Sequence, residues 1–467
     1  MTSRLAELNA ALDRDPGQIE VRYHRGATLA ALGRNEEARQ DFLAVIAQDP
    51  KHFGALNDLG TLLHRTDYRT AARLAYAEAV KHHPHNVIGR INLANALLGE
   101  GQAEEARFQF EAALALEPEH PDANQGMANL LQAEGDWDAA ERHRQKSYRA
   151  RTITSLPYRG EGAPCRVLML VSAVGGNVPT RFVLDDTLFA VSILVVEAFA
   201  DDTVLPPHDV VFNAIGDADL CRGALDAADR VLANTQARVL NRPSSVRGSG
   251  RADIASRLAG LPGVAVPKVA MLEKSDIAAA AKTIGFPLLL RSPGYHTGQH
   301  FKRVESAGAL ADAVSELPGR QLLLIEFLNA FDASGWARKY RVMMIGGRLF
   351  PLHLAISREW KVHYFTAAMA EQAEHRAEEA AFLADMPAVL GPTATAALEH
   401  ICARLALDYA GIDFGLSPDG ELLFFEANAT MVINPPSPDT IWDYRRAAVD
   451  RALTAARAMV MQPDKTP

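Results

Sequence analysis

Near the end of the chain three oxygen-bearing side chains, Asp413, Glu426 and Asn428, fall on two apolar segments that a turn can fold together. Segments 411–416 and 421–428 flank Ser417-Pro418-Asp419-Gly420, where Pro presets the second turn position and Gly accepts a positive φ at the exit. The pattern predicts a β-hairpin. With an even-numbered loop Asp413 stands opposite Phe424 and the three polar side chains project from one face; a three-residue loop with a bulge would reverse that parity. Two carboxylates and an amide oxygen on rigid strands are hard donors, suited to a Mg²⁺ ion that keeps some waters and completes its shell with phosphate oxygens. A hairpin with a polar solvent face would carry the same residues.

The strand Asp, the short turn and the apolar strand ending Glu426-Ala427-Asn428 resemble the metal-binding end of ATP-grasp enzymes, with spacing similar to that of D-alanine–D-alanine ligases. The resemblance covers roughly the last 300 residues, a length that suits a composite enzyme. It implies ATP and Mg²⁺, with Asp413, Glu426 and Asn428 as metal ligands. Upstream it implies phosphate binding by Arg251 and Arg291, each where Lys is usual, and a glycine-rich flap with Gly294 and Gly298 that also carries His296 and His300. Glu326, at the end of the apolar segment 321–328, is the implied partner of adenine or ribose, and Asp332 a further ribose ligand. Arg341, opening a strand before Gly346-Gly347, and Arg358 on the returning strand are the implied catalytic cations, because charge builds on the oxygens of a transferred phosphoryl group. His353 and His363 lie on the same stretch, and Lys361 reads as plain surface. Two departures stand out. Gly411 occupies the place of an Arg in D-alanine ligases, and Ala429-Thr430-Met431-Val432 replaces their Ser-Pro-Gly substrate loop, so D-alanine is not the expected substrate.

Those residues need strands to hold them. Residues 166–172, 189–196 and 210–214 read as strands and 225–233 as a helix, an alternation that implies a small open α/β domain. Gly175-Gly176 reads as a tight turn. Further strands are expected at 286–291 and 321–328 and on either side of Gly346-Gly347, with helices at 276–284, 371–383 and 392–405. The stretch 149–164 loses helical period and gathers Pro157, Gly160, Gly162 and Pro164, marking a boundary.

Before that boundary Pro16, Pro50, Pro84 and Pro118 recur every 34 residues. In register with them run Gly26, Gly60 and Ala94; Ala38, Ala72 and Ala106; Phe42, Tyr76 and Phe110; and Val45, Ala79 and Ala113. Small residues admit close helix approach, and the aromatic fills the gap. The pattern resembles the tetratricopeptide repeat: three full units over 19–118, a half unit before, and a degenerate fourth with Gly126, Gly135, Trp137 and Ala140. Tyr23, Asn57, Thr61, Asn95, Gln125 and Asn129 would line its concave face, where amides and hydroxyls can pair with an extended peptide. His82, His83 and His85 read as a helix end rather than a metal site.

The expected organisation is therefore an all-α tetratricopeptide solenoid (1–152), a linker (153–163), an α/β pre-ATP-grasp domain (164–262) and an α+β ATP-grasp domain (263–467). A net charge of −9 argues against nucleic-acid binding, and three scattered cysteines fit a reducing cytoplasm. No span suits a membrane. The expected activity is ATP-dependent ligation of a carboxylate to an amine, one of them on a peptide or protein held by the repeats. A nucleotide-binding adaptor whose repeats recruit partners is the alternative, and a kinase that stops at a phosphorylated product is a third.

Overall fold

One aromatic and several small residues per repeat decide how the first part of the chain is built. In the computed structural model, which describes residues 2–149, 152–293, 298–362, 367, 369–437 and 439–462, helices span Thr2–Arg14, Ile19–Ala31, Asn35–Gln48, Phe53–Arg65, Arg69–His82, Val87–Gly99, Ala103–Leu116, Pro121–Glu134 and Trp137–Arg149. After the first, consecutive helices pair. Phe42 and Phe110 are fully buried and Tyr76 nearly so. A Cβ on Gly60 would lie 2.6 Å from the Tyr76 ring, and one on Gly126 2.2 Å from the Phe110 ring. The fourth pair is complete although its sequence is degenerate, because Gly126 and Ala140 keep the two contacts that packing requires.

Two further columns share the 34-residue period. Gly33, Gly101 and Gly135 turn through φ of 76°, 78° and 87°, and Asp67 holds 66° at the same place. His52, Asn86 and His120 each accept a hydrogen bond from the backbone N–H three residues on, capping the next helix.

Packing separates Met1–Arg151 from a second unit, Thr152–Pro467. There, β1 (Ile153–Ser155), β2 (Cys165–Val171), β3 (Phe189–Val195), β4 (Val210–Asn213) and β5 (Arg238–Leu240) form a sheet in the order β1-β3-β2-β4-β5. All pairs but β1–β3 are parallel, and β2 and β4 read as unbroken apolar runs because both faces are covered. Next, β6 (Val264–Ala265) leads to β7 (Val269–Glu273), β8 (Leu288–Arg291), β9 (Phe301–Val304) and β10 (Gln321–Glu326). The last four make an antiparallel sheet, β7-β10-β8-β9. Its Leu288, Leu290, Leu322 and Leu324 pack against helices Ile277–Ile284 and Ala307–Glu316. Finally β11 (Ala337–Ile345), β12 (Arg348–Ser357), β13 (Tyr409–Leu416) and β14 (Leu422–Asn428) assemble with β6 in the order β12-β11-β13-β14-β6.

One face of that third sheet packs on helices Ala373–Ala384 and Met386–Leu405. The other shares a core with the first sheet and with helix Asp443–Met461, which the sequence reading did not anticipate. Asn241, fully buried with φ of 54°, fastens the first sheet to the third. Its amide donates to the Tyr409 carbonyl at 2.8 Å and accepts from Asp408 N and Tyr409 N, each at 2.9 Å. No single described helix is long and apolar enough to cross a membrane.

Candidate functional site

Strand alternation sends one set of side chains on each sheet to the helices and leaves the other set to face a cavity of about 390 Å³. On β11, Tyr340, Val342 and Met344 pack toward the helices while Lys339 and Arg341 line the cavity. Asp413 on β13 and Glu426 and Asn428 on β14 share that cavity face. Asp413 stands opposite Glu426, however, and not opposite Phe424. Five residues separate Leu416 from Leu422, an odd loop that would part the polar side chains, and a bulge at Phe425 restores their common face. Gly415 leaves room for it: a Cβ there would lie 2.9 Å from the Phe425 ring.

Asp413 is 1% exposed and does not stand free. Arg341 is its directly opposed neighbour on β11 and grips both carboxylate oxygens, Nε to Oδ1 at 2.6 Å and Nη2 to Oδ2 at 2.7 Å. Lys339 Nζ adds a contact at 3.2 Å. Burial alone would push the Asp413 carboxyl up, but the two cations outweigh it and hold it well below the usual range. His353, paired with Arg341 on β12 and buried, is kept neutral by desolvation and by that guanidinium.

Glu426 lies between two cations from different elements. Arg251, the first residue of helix Arg251–Leu258, and Arg291, the last of β8, each bring a guanidinium nitrogen to 3.8 Å from its Oε2. Arg251 is also held by Asp219 at 3.2 Å. Burial works against both charges. At Arg251 the carboxylates of Glu426, Asp217 and Asp219 outweigh it, whereas at Arg291 burial and the neighbouring Arg251 draw the affinity for the proton down. Glu326 lines the cavity and accepts the Lys268 N–H at 3.0 Å. Gly298 lines it as well, and its carbonyl accepts from Lys361 Nζ at 2.9 Å, so Lys361 is a wall residue and not plain surface.

Two expected site residues are elsewhere. Asp332 is consumed by its own turn, accepting from Ser334 N, Ser334 Oγ and Trp336 N and pairing with Arg338 at 2.5 Å. Arg358 stacks on Trp336, its guanidinium carbon 4.3 Å from the ring centroid. Gly294, His296 and His363 lie outside the described residues. Asp217, Asp219 and Lys339 line the cavity without having been singled out. Lys339 was legible, being two positions from Arg341 on one strand face. The aspartates follow β4, at the carboxyl end where open α/β sheets place ligands.

Among the described residues no three His, Cys, Asp or Glu side chains form a group that can hold a metal ion. The oxygens that fit a divalent cation are those of Glu426 and of Asn428, whose Oδ1 already accepts from Thr430 N at 3.0 Å and Thr430 Oγ1 at 2.8 Å. Asp413, with both oxygens held by Arg341, does not fit the donor role expected of it.

The repeat unit offers a second surface. Family models described as tetratricopeptide repeat match residues 19–52 and 97–143. The N-terminal helices are tetratricopeptide repeats. FK506-binding protein-like of Mus musculus is 44% identical over 52 residues, 11% of this chain and 15% of that protein, and its Homo sapiens counterpart 42% over the same length. The match thus spans about 15% of those curated relatives. Solved structures with similarity include MamA from Desulfovibrio magneticus RS-1, at 24% identity and a TM-score of 0.29 over 32% of this chain and 85% of that one. A thermophilic tetratricopeptide protein of Thermus thermophilus has 22% identity and a TM-score of 0.28 over 32% of this chain and 81% of that one.

Tetratricopeptide repeats suggest protein–protein interaction, and the expected groove residues are linked from one repeat to the next. Tyr23 donates to Asp58 at 2.9 Å, Asn92 to Asn57 at 2.8 Å, Tyr76 to Thr61 at 3.1 Å and Gln125 to Asn129 at 2.9 Å. Asn95 and Asn129 are exposed.

Proposed function

We propose that the second unit is an ATP-dependent carboxylate–amine ligase of the ATP-grasp kind, and that the repeats recruit a peptide or protein that supplies one substrate. The γ-phosphoryl group passes to a substrate carboxylate, giving an acyl phosphate and ADP; an amine then attacks the carbonyl carbon, the C–O bond to phosphate breaks, and amide, inorganic phosphate and a proton leave. The observation that carries this reading is the meeting of Arg251, Arg291, Arg341, Lys339 and Lys361 with Glu426 and Asn428 in one cavity between two sheets. Cations converging on a mostly enclosed space suit a polyphosphate and the charge that builds on a transferred phosphoryl group. Mg²⁺ held by Glu426 and Asn428 would supply further charge neutralisation there. Glu326 at the end of β10 suits the base or ribose of the nucleotide, and a cytoplasmic location fits the chemistry.

The adaptor reading keeps one observation in its favour: the Arg341–Asp413 pair blocks a carboxylate that a phosphoryl-transfer site would use for metal. Calorimetric titration of Mg-ATP into the full chain and into Glu426→Gln, followed by ADP release with a pool of amino acids and short peptides, separates the two. Binding weakened in the variant and ADP release stimulated by substrate are expected. Binding without turnover would favour the adaptor, and no binding would overturn the nucleotide assignment.

A further inference from the structure

The three oxygen-bearing residues of the hairpin, alike in sequence, have unlike surroundings. Asp413 faces Arg341 across a β-pair, so the contact is set by strand register and not by a wandering side chain. Two guanidinium N–H groups and the Lys339 ammonium saturate its carboxylate at 1% exposure. To ligate an ion, Asp413 would have to release Arg341 while both remained desolvated, a change that costs several kcal/mol for a buried pair. Glu426, by contrast, touches its two arginines no closer than 3.8 Å, keeps 29% of its side chain exposed and faces the cavity beside Asn428.

We propose that this site takes a single divalent cation, through Glu426 and Asn428, and that Arg341 with Lys339, anchored on Asp413, stands permanently where a second cation's charge would be needed. The inference rests on the nucleotide reading above. Arg341 and Lys339 together bring two positive charges against the one negative charge of Asp413, so the trio presents a net positive charge to the cavity wall without a second ion. A hard cation that arrives with a phosphate chain needs only one or two protein oxygens, which is what Glu426 and Asn428 provide. Asp413 is then a positioning residue: it fixes Arg341 and ligates nothing.

The test is ion stoichiometry. Mn²⁺ binding to the full chain with a non-hydrolysable ATP analogue is counted by electron paramagnetic resonance, beside calorimetric titration of the analogue. One Mn²⁺ per bound analogue is expected for the wild type. Glu426→Gln should weaken that ion by at least about tenfold, and Asp413→Asn should leave its affinity within about threefold, on the scale set by losing or keeping a direct ligand. Two ions in the wild type, or a loss of tenfold or more in Asp413→Asn, would overturn the proposal and leave nucleotide binding standing. The wild-type count decides the matter even if Asp413→Asn does not fold. Failure of the analogue to bind at all would instead overturn the nucleotide reading, and this proposal with it.

Discussion

In the repeat unit a residue's task is fixed by its place in a 34-residue period; in the second unit it is fixed by register. Phe42, Tyr76 and Phe110 do the same thing three times, each against a small residue on a neighbouring helix. The cavity gathers its residues from positions as far apart as 217 and 428, and two carboxylates directly opposite one another, Asp413 and Glu426, end in different electrostatic roles. Local repetition tolerates a degenerate copy, since each interface depends only on its neighbours. A register-built site has no second copy, so one altered pair changes it as a whole.

The sharpest way to break the contrast is Arg341→Met. It strands Asp413 in a buried place with Lys339 as its remaining cation, and losing one partner of a buried pair costs roughly 3–5 kcal/mol. Urea denaturation should show a lower midpoint for the variant. Because the Asp413 carboxyl is held below its ordinary value, the ion pair contributes fully above the usual carboxylate range of about 4 and is lost as pH falls through the depressed value. The gap between wild type and variant should therefore narrow in acid. A gap that stays constant from neutral pH to well below that range would mean the pair does not set the stability of β11 and β13.

Period and register were unequally legible in the sequence. The proline and aromatic columns announced the repeats, because four positions recurring together leave little else to explain them. The capping column of His52, Asn86 and His120 and the turn column containing Asp67 went unread, since the residue type changes while the backbone job does not. In the second unit, strands rich in Val, Leu and Ile were visible, and the shared face of Asp413, Glu426 and Asn428 was anticipated from the wrong pairing. A bulge at Phe425 adds one residue without a sequence signature of its own, apart from the glycine at 415 that accommodates it. Asp332 and Arg358 were assigned by likeness of position; nothing local to Asp332 announced that Ser334 and Trp336 would claim its carboxylate.

A smaller perturbation probes the other side of the comparison. Gly126→Ala places a Cβ 2.2 Å from the Phe110 ring, which is fully buried and has little room to move. Overpacking of this kind costs about 1–3 kcal/mol, and Phe110→Leu in the same chain should recover part of it. The thermal transition assigned to the repeats should fall while nucleotide binding by the full chain, if present, keeps its affinity. A matching loss of nucleotide affinity would show that the two parts do not respond separately.

The smallest expected effect asks whether the period in the caps is real. Asn86 accepts from Gly89 N at 2.9 Å, and Asn86→Ala removes that acceptor at a cost of about 1 kcal/mol. His120 does the same work with a ring nitrogen, but its bond to Ala123 N is 3.5 Å long. Replacing His120 with Asn, the residue that already serves at position 86, should therefore leave stability unchanged or raise it slightly, as followed by urea denaturation. If His120→Asn were as damaging as Asn86→Ala, the two positions would not be equivalent, and the imidazole would be holding something other than the helix end.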